Sequence, residues 1–156
     1  VGRFDIPKNH DRMIDILQQF VKKNRNVVLC LVGPKEGLYT QIKNKTEKKG
    51  LENNVYFAGR QKSIRRYLSA MDVFLFPSVF EGVPFALIEA QANGLSCVMS
   101  EAVSEEAVVF PGPVQVPENI ILVEKNLLDS FFLAVYDKAL CTVGSYTWFV
   151  YNLSTG

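Results

Sequence analysis

Apolar residues follow two spacings along this chain, and the two alternate. Met13, Ile16, Leu17, Phe20 and Val21 fall on one helical stripe. Asn9 stands where a side-chain oxygen can cap that helix. Asn24-Arg25-Asn26 interrupts it. Residues 27–32, VVLCLV, are then apolar without a break, as in a strand buried on both faces. Gly33-Pro34 turns the chain. Residues 38–49 read as a polar, weaker helix, closed by Gly50 as a C-terminal cap with Leu51 behind it. Residues 55–58 form a short strand ending at Gly59. Ser63 is placed to cap a helix carrying Ile64, Tyr67, Leu68 and Met71. Residues 73–76, VFLF, make another buried strand, 85–93 a helix stopped by Gly94, and 97–100 the next strand. Wholly apolar strands alternating with helices predict an α/β fold, a Rossmann-like parallel sheet with helices on both faces. Ligands of such sheets sit outside the carboxyl ends of the strands. Arg3, Gly33, Gly59 and Glu81 each follow a strand end, so one rim is expected to gather them.

Composition narrows the picture without changing it. A chain of 156 residues with 48% apolar side chains suits one domain with a core. Net charge is +1, yet the halves differ: residues 1–70 carry 15 Lys and Arg against 6 Asp and Glu, and residues 71–156 carry 2 against 10. A basic half raises nucleic acid as a partner. Lys22, Lys23, Lys43, Lys45, Lys48 and Lys49 instead fit the solvent faces of two helices, with no aromatic residues between them, so no nucleic-acid partner is expected. The three cysteines, Cys30, Cys97 and Cys141, show no metal or redox spacing, which fits a reducing, cytoplasmic setting. No apolar run approaches the roughly 18 residues that a membrane span requires, and no signal peptide is visible. The chain opens on Val1-Gly2-Arg3, which reads as the inside of a first strand and hence as a fragment.

The chemistry concentrates in residues 80–89, FEGVPFALIE. Pro84 suits the first position of a helix, where a missing N–H removes no bond. Neither Gly82 nor Val83 has a side-chain oxygen to cap that helix, so the amides of Phe85, Ala86 and Leu87 are expected to lack a local partner. Free amides at the positive end of a helix dipole attract an anion. Glu81 stands in the loop before the helix and Glu89 on its second turn, able to accept hydroxyl hydrogen bonds on either side. A phosphate at the tip flanked by two hydroxyl acceptors describes a nucleotide sugar.

With these residues the chain resembles the C-terminal, donor-binding half of the group 1 (family 4) retaining glycosyltransferases, which have the GT-B fold. Val1-Gly2-Arg3-Phe4 with Lys8-Asn9-His10 is similar to that family's opening strand and basic loop. VLCLVG at 28–33 is similar to its second strand and glycine turn. YLSAMDVFLFPS at 67–78 leads into FEGVPFALIEAQANGLSCVMS as the family does. The match covers residues 1–110, with a flavour of enzymes that build capsular or exopolysaccharides. The resemblance implies transfer of a sugar from a nucleoside-diphosphate donor to a saccharide or lipid-linked acceptor, with retention of configuration. It implies that Arg3 and Lys8 grip the diphosphate, that Glu81 lies by the transferred sugar and that Glu89 takes the ribose hydroxyls. Arg3, Lys8 and Glu81 would be catalytic. The donor site would also include Gly33, Arg60 beside the nucleobase, Gly82, Phe85, Ala86, Leu87 and Glu89. No metal or other cofactor is implied. The acceptor site would belong to an N-terminal GT-B domain outside this chain, leaving the chain alone inactive. The whole enzyme would be cytoplasmic, with a peripheral place at the inner face of the membrane. The alternative is a non-catalytic nucleotide-sugar-binding or assembly module from a truncated gene.

Other residues invite blander readings. Gly33 with Gly37 lacks the third glycine of a dinucleotide fingerprint, and Lys35 stands where the family often has a second glycine. The lone His10 suits a surface or capping position, and no catalytic triad can be built around it. Asp72 reads as a turn residue. The domain boundary is set at 112, and 113–156 is a tail in which the family pattern fades. Within it, 126–141 could be an amphipathic helix, and 145–153, SYTWFVYNL, reads as strand-like.

Overall fold

The computed structural model describes residues 1–109 and 114–116, and the expectations for 126–141 and 145–153 lie outside them. A 3-10 turn at Ile6–Lys8 leads into α1 (His10–Lys23), followed by β1 (Leu29–Val32), α2 (Tyr39–Lys48), β2 (Val55–Gly59) and α3 (Arg65–Leu68). Then come β3 (Val73–Phe76), α4 (Phe85–Ala92), β4 (Ser96–Ser100) and β5 (Val114–Val116). β1 pairs with β2, and β4 lies between β3 and β5; every pairing is parallel. All four residues of β1 and all four of β3 are buried, as continuous apolar strands require. The chain is thus the α/β fold of alternating parallel strands and helices.

Residues 1–4 hold no assigned strand, but they run beside β1. Gly2 N–H donates to Val32 O at 2.9 Å, and Phe4 O accepts Leu38 N–H at 2.8 Å. Phe4 is the hub of this corner, being 3% exposed. Its ring stacks on His10 with centroids 4.5 Å apart and meets Tyr39 edge-on at 5.3 Å. It therefore joins α1 and α2 to the segment that carries Arg3.

Several local expectations change in the folded chain. Asn9 does occupy the cap position of α1, but in the left-handed region at φ 53°, and its side chain makes no cap bond. That conformation closes the preceding 3-10 turn, with Asn9 N–H on Ile6 O at 3.1 Å. Ser63 caps nothing: α3 is a single turn that begins after Ile64. Pro84 sits at the cap of α4 rather than inside it, at φ −82° and ψ 66°. Those angles make an inverse γ-turn, so Phe85 N–H bonds Val83 O at 2.9 Å, and Leu87 N–H bonds Pro84 O at 2.9 Å. Of the three amides expected to be free, only that of Ala86 has no protein acceptor among the described residues. His10 is buried at 4% exposure and is neither a surface nor a capping residue. Lys45 and Lys49 are half-buried rather than solvated. They bridge α2 to α1 through Asp15, at 2.9 and 3.1 Å, and Lys45 also reaches Asp11.

Candidate functional site at the carboxyl ends of the strands

Two loops meet above the strand ends. The first is the 3-10 turn Ile6–Lys8, and the second follows β3. Val79 N–H donates to Pro7 O at 2.9 Å and fastens one to the other. The left-handed Asn9 reverses the chain at this point, a geometry that Asn tolerates better than most side chains. The result carries Lys8 to the second loop. Lys8 Nζ lies 2.7 Å from Glu81 Oε1, with the two side chains 21% and 10% exposed. The Phe76 ring lies 5.2 Å from the same Nζ, close enough for a cation–π contact. Residues 73 positions apart in sequence thus form one charged pair.

The glycines complete the rim. Gly33 N–H donates to Gly59 O at 3.0 Å, beside the bond from Gly2 to Val32. A Cβ at Gly2 would stand 3.2 Å from Lys8 Cε, so Lys8 lies along this backbone. Gly59, Gly33, Gly2, Lys8 and Glu81 are therefore contiguous. The fold itself gives Gly33 a reason to be glycine, because a Cβ there would collide with the Gly2 carbonyl. Gly37, at φ 59°, meets the Phe4 carbonyl in the same way. The glycine turn is shaped first by the segment it wraps.

Arg3 and Arg60 directly follow the rim glycines Gly2 and Gly59 in sequence, and both side chains are exposed to solvent. Arg3 is 82% exposed, with Asp5 at 3.7 Å, and Arg60 is 76% exposed, with Glu36 at 3.8 Å. Gly82 and Phe85 are exposed, Ala86 is half-buried and Leu87 is wholly buried in the core. Glu89 is exposed on the second turn of α4. Burial, then the amino terminus and Lys8, brings His10 down to about 4, so its imidazole is neutral.

Sequence reading missed the pairing of Lys8 with Glu81, because nothing in a sequence pairs one loop with another. It also missed Asp5, His10 and Ser78 as neighbours of this site. Among the described residues, Asp5 Oδ1, His10 Nδ1 and Ser78 Oγ are buried without a hydrogen-bond partner, and in sequence they border the two loops. Buried polar atoms are usually bonded, so hydrogen-bonding capacity is concentrated here. Among the described residues no cluster of three His, Cys, Asp or Glu could hold a metal ion, and no helix is long and apolar enough to cross a membrane.

Comparison with known proteins bears on the family and the fold. Residues 1–137 match the family model described as "Glycosyl transferases group 1". The chain is 32% identical over 106 residues to "Putative glycosyltransferase EpsF" of Bacillus subtilis (strain 168), covering 68% of this chain and 27% of that protein. It is 30% identical over 140 residues to the "UDP-Gal:alpha-D-GlcNAc-diphosphoundecaprenol alpha-1,3-galactosyltransferase" of Escherichia coli, covering 86% of this chain and 34% of that protein. The chain thus spans about a third or less of these relatives' length. The crystal structure of TarM superposes with a TM-score of 0.77 at 21% identity, over 89% of this chain and 28% of that one, which places the fold among GT-B glycosyltransferases. A family model that spans most of the chain, on a fold of the same kind, identifies this protein as a member of the group 1 glycosyltransferases.

Proposed function

We propose that this chain is the donor-binding half of a retaining glycosyltransferase of polysaccharide assembly. It binds a nucleoside-diphosphate sugar and passes the sugar to a saccharide or lipid-linked acceptor. The observation that carries this reading is the Lys8–Glu81 pair, drawn together from the loops that follow the opening segment and β3, with α4 beginning four residues after Glu81. Strand ends are where such sheets hold ligands, and a cation beside a helix tip is suited to phosphate.

In this reading the diphosphate lies between Arg3, Lys8 and the Ala86 N–H. These donors stabilise the oxygen that receives the electron pair when the bond to the anomeric carbon breaks. No metal is required, because side-chain cations and the helix tip supply the positive charge. Glu81, half-buried beside Lys8, faces the sugar. Glu89, exposed on the second turn of α4, faces the ribose. Gly33, Gly82 and Arg60 line the nucleotide. The acceptor site belongs to the other GT-B domain, so the chain alone binds donor and turns over little. The E. coli relative named for a diphosphoundecaprenol substrate supports a lipid-linked acceptor and a working position at a membrane face. That name also makes uridine the first base to try.

The test is calorimetric titration with uridine, guanosine and adenosine diphosphates and their sugars. Saturable binding of one base series is expected, weakened by Glu89→Gln for diphosphate and sugar nucleotide alike. No binding by a folded chain in any series would sink the reading.

A further inference from the structure

Lys8 does not stand alone. Lys8 is held by one carboxylate at 2.7 Å, and that carboxylate is the less exposed member of the pair, at 10% against 21%. Among the described residues Glu81 is the acidic side chain bonded to Lys8. An anion that reaches Lys8 therefore also enters the field of Glu81, and the two fields nearly cancel at a distance. They do not cancel for a group that touches one of them. Partial burial strengthens both effects relative to open water.

Resting on the donor-site reading, a sugar nucleotide and its spent diphosphate differ in two ways that Glu81 can feel. The terminal phosphate of the spent diphosphate is no longer esterified to the sugar and carries about one charge more near neutral pH. It also lacks the sugar hydroxyls that can donate to a carboxylate. Both differences have the same sign at Glu81: repulsion rises and hydrogen bonding is lost. Glu89 has no such preference, because the ribose is common to both ligands.

We propose that Glu81, set against Lys8, discriminates the sugar-nucleotide donor from the spent nucleoside diphosphate and keeps the product from occupying the site. Lys8 attracts both ligands. Glu81 repels the more highly charged one and accepts hydroxyls from the other. The residue that meets the sugar is thereby also the residue that favours product release.

The experiment titrates the full 156-residue chain with uridine diphosphate, its galactose ester and inorganic pyrophosphate, for the wild type, Glu81→Gln and the Lys8→Gln/Glu81→Gln double variant. If another base binds better, its diphosphate and sugar replace the uridine pair. Glu81→Gln should bind the diphosphate and pyrophosphate roughly tenfold more tightly, while the sugar nucleotide gains nothing. The double variant, in which both charges are removed, should lose that gain, because the gain acts through Lys8. A merely structural Glu81 would weaken all three ligands together. If Glu81→Gln leaves the ratio of the two nucleotide affinities unchanged, the proposal is overturned while the donor site stands. If no ligand binds any folded variant, the donor-site reading fails and this inference fails with it.

Discussion

Arg3 and Lys8 belong to the same opening segment, but the fold holds them differently. Lys8 is fixed between Glu81 and the Phe76 ring, whereas Arg3 is 82% exposed. Removing either cation should weaken diphosphate binding about tenfold, the scale of one charge-assisted hydrogen bond. Their effects on stability should part. Lys8→Ala leaves the Glu81 carboxylate buried without its partner and should lower stability by about 1–3 kcal/mol. Arg3→Ala should leave the melting temperature where it was. Equal melting losses in both variants would refute this asymmetry. His10 gives a second prediction at this scale. Its folded pKa is about 4, below the unfolded value of about 6.5. Between those values the unfolded chain binds the proton and the folded chain does not. The contribution is therefore complete above pH 6.5, falls as pH drops through the window and levels off below 4, with a total of at most about 3 kcal/mol. His10→Phe keeps a ring against Phe4 and removes the titration. Melting temperatures of variant and wild type should diverge as pH falls from 6.5 to 4, and parallel curves would show that His10 does not titrate this way.

Elements in this chain stop where the sequence says they stop, and start less predictably. After α2, Gly50 takes φ 64°, with its N–H on Glu47 O at 3.0 Å and the Leu51 N–H on Thr46 O at 3.1 Å. This is a Schellman closure, with Leu51 buried behind it. Nothing lies within 4 Å of a Cβ built at Gly50, so Gly50→Ala should cost only its left-handed backbone, about 1 kcal/mol by denaturant titration. Starts are harder to read because backbone geometry can replace a side-chain cap, as the γ-turn at Pro84 does for α4. Gln91 shows an element fixed from its buried face. Its Nε2 donates to Ala107 O at 2.8 Å and its Oε1 accepts Val109 N–H at 2.9 Å, tying the segment after β4 to α4. Gln91→Leu should lower stability by about 1–3 kcal/mol, since it strands the buried Ala107 carbonyl. Faster proteolysis after β4 should accompany that loss, and an unchanged midpoint would show the clamp to be dispensable.

At the scale of the whole molecule, the opening segment is what everything else is built against. Gly33 touches Gly2, Leu38 bonds Phe4, and Lys8 lies along Gly2. Gly33→Ala should therefore cost about 3 kcal/mol or more, since its Cβ meets fixed backbone rather than a side chain that can move aside. Comparing its unfolding midpoint with that of Gly50→Ala separates close approach from backbone conformation. If the two were equally mild, the packing of residues 1–4 against the glycine turn would be weaker than these contacts imply. Part of the charge of the basic half is paired within that half. Lys45 and Lys49 of the basic half serve Asp11 and Asp15 on the neighbouring helix, and they hold the Asp15 carboxyl below its usual range although burial alone would raise it.

The sequence by itself determined the alternation of buried strands with helices, because a strand covered on both faces must be apolar throughout. It determined the glycine stops of α2 and α4, because a left-handed residue is nearly always glycine. It also determined that Arg3, Gly33 and Glu81 stand near strand ends, since parallel topology sends every such end to one side. Only the tertiary structure decided that Lys8 meets Glu81, that His10 is buried under Phe4, that two of the three amides at α4 find carbonyl partners, and that Gly33 is required by Gly2. Each of these depends on the distance between segments far apart in the chain. Local periodicity carries no information about that distance, and packing alone sets it.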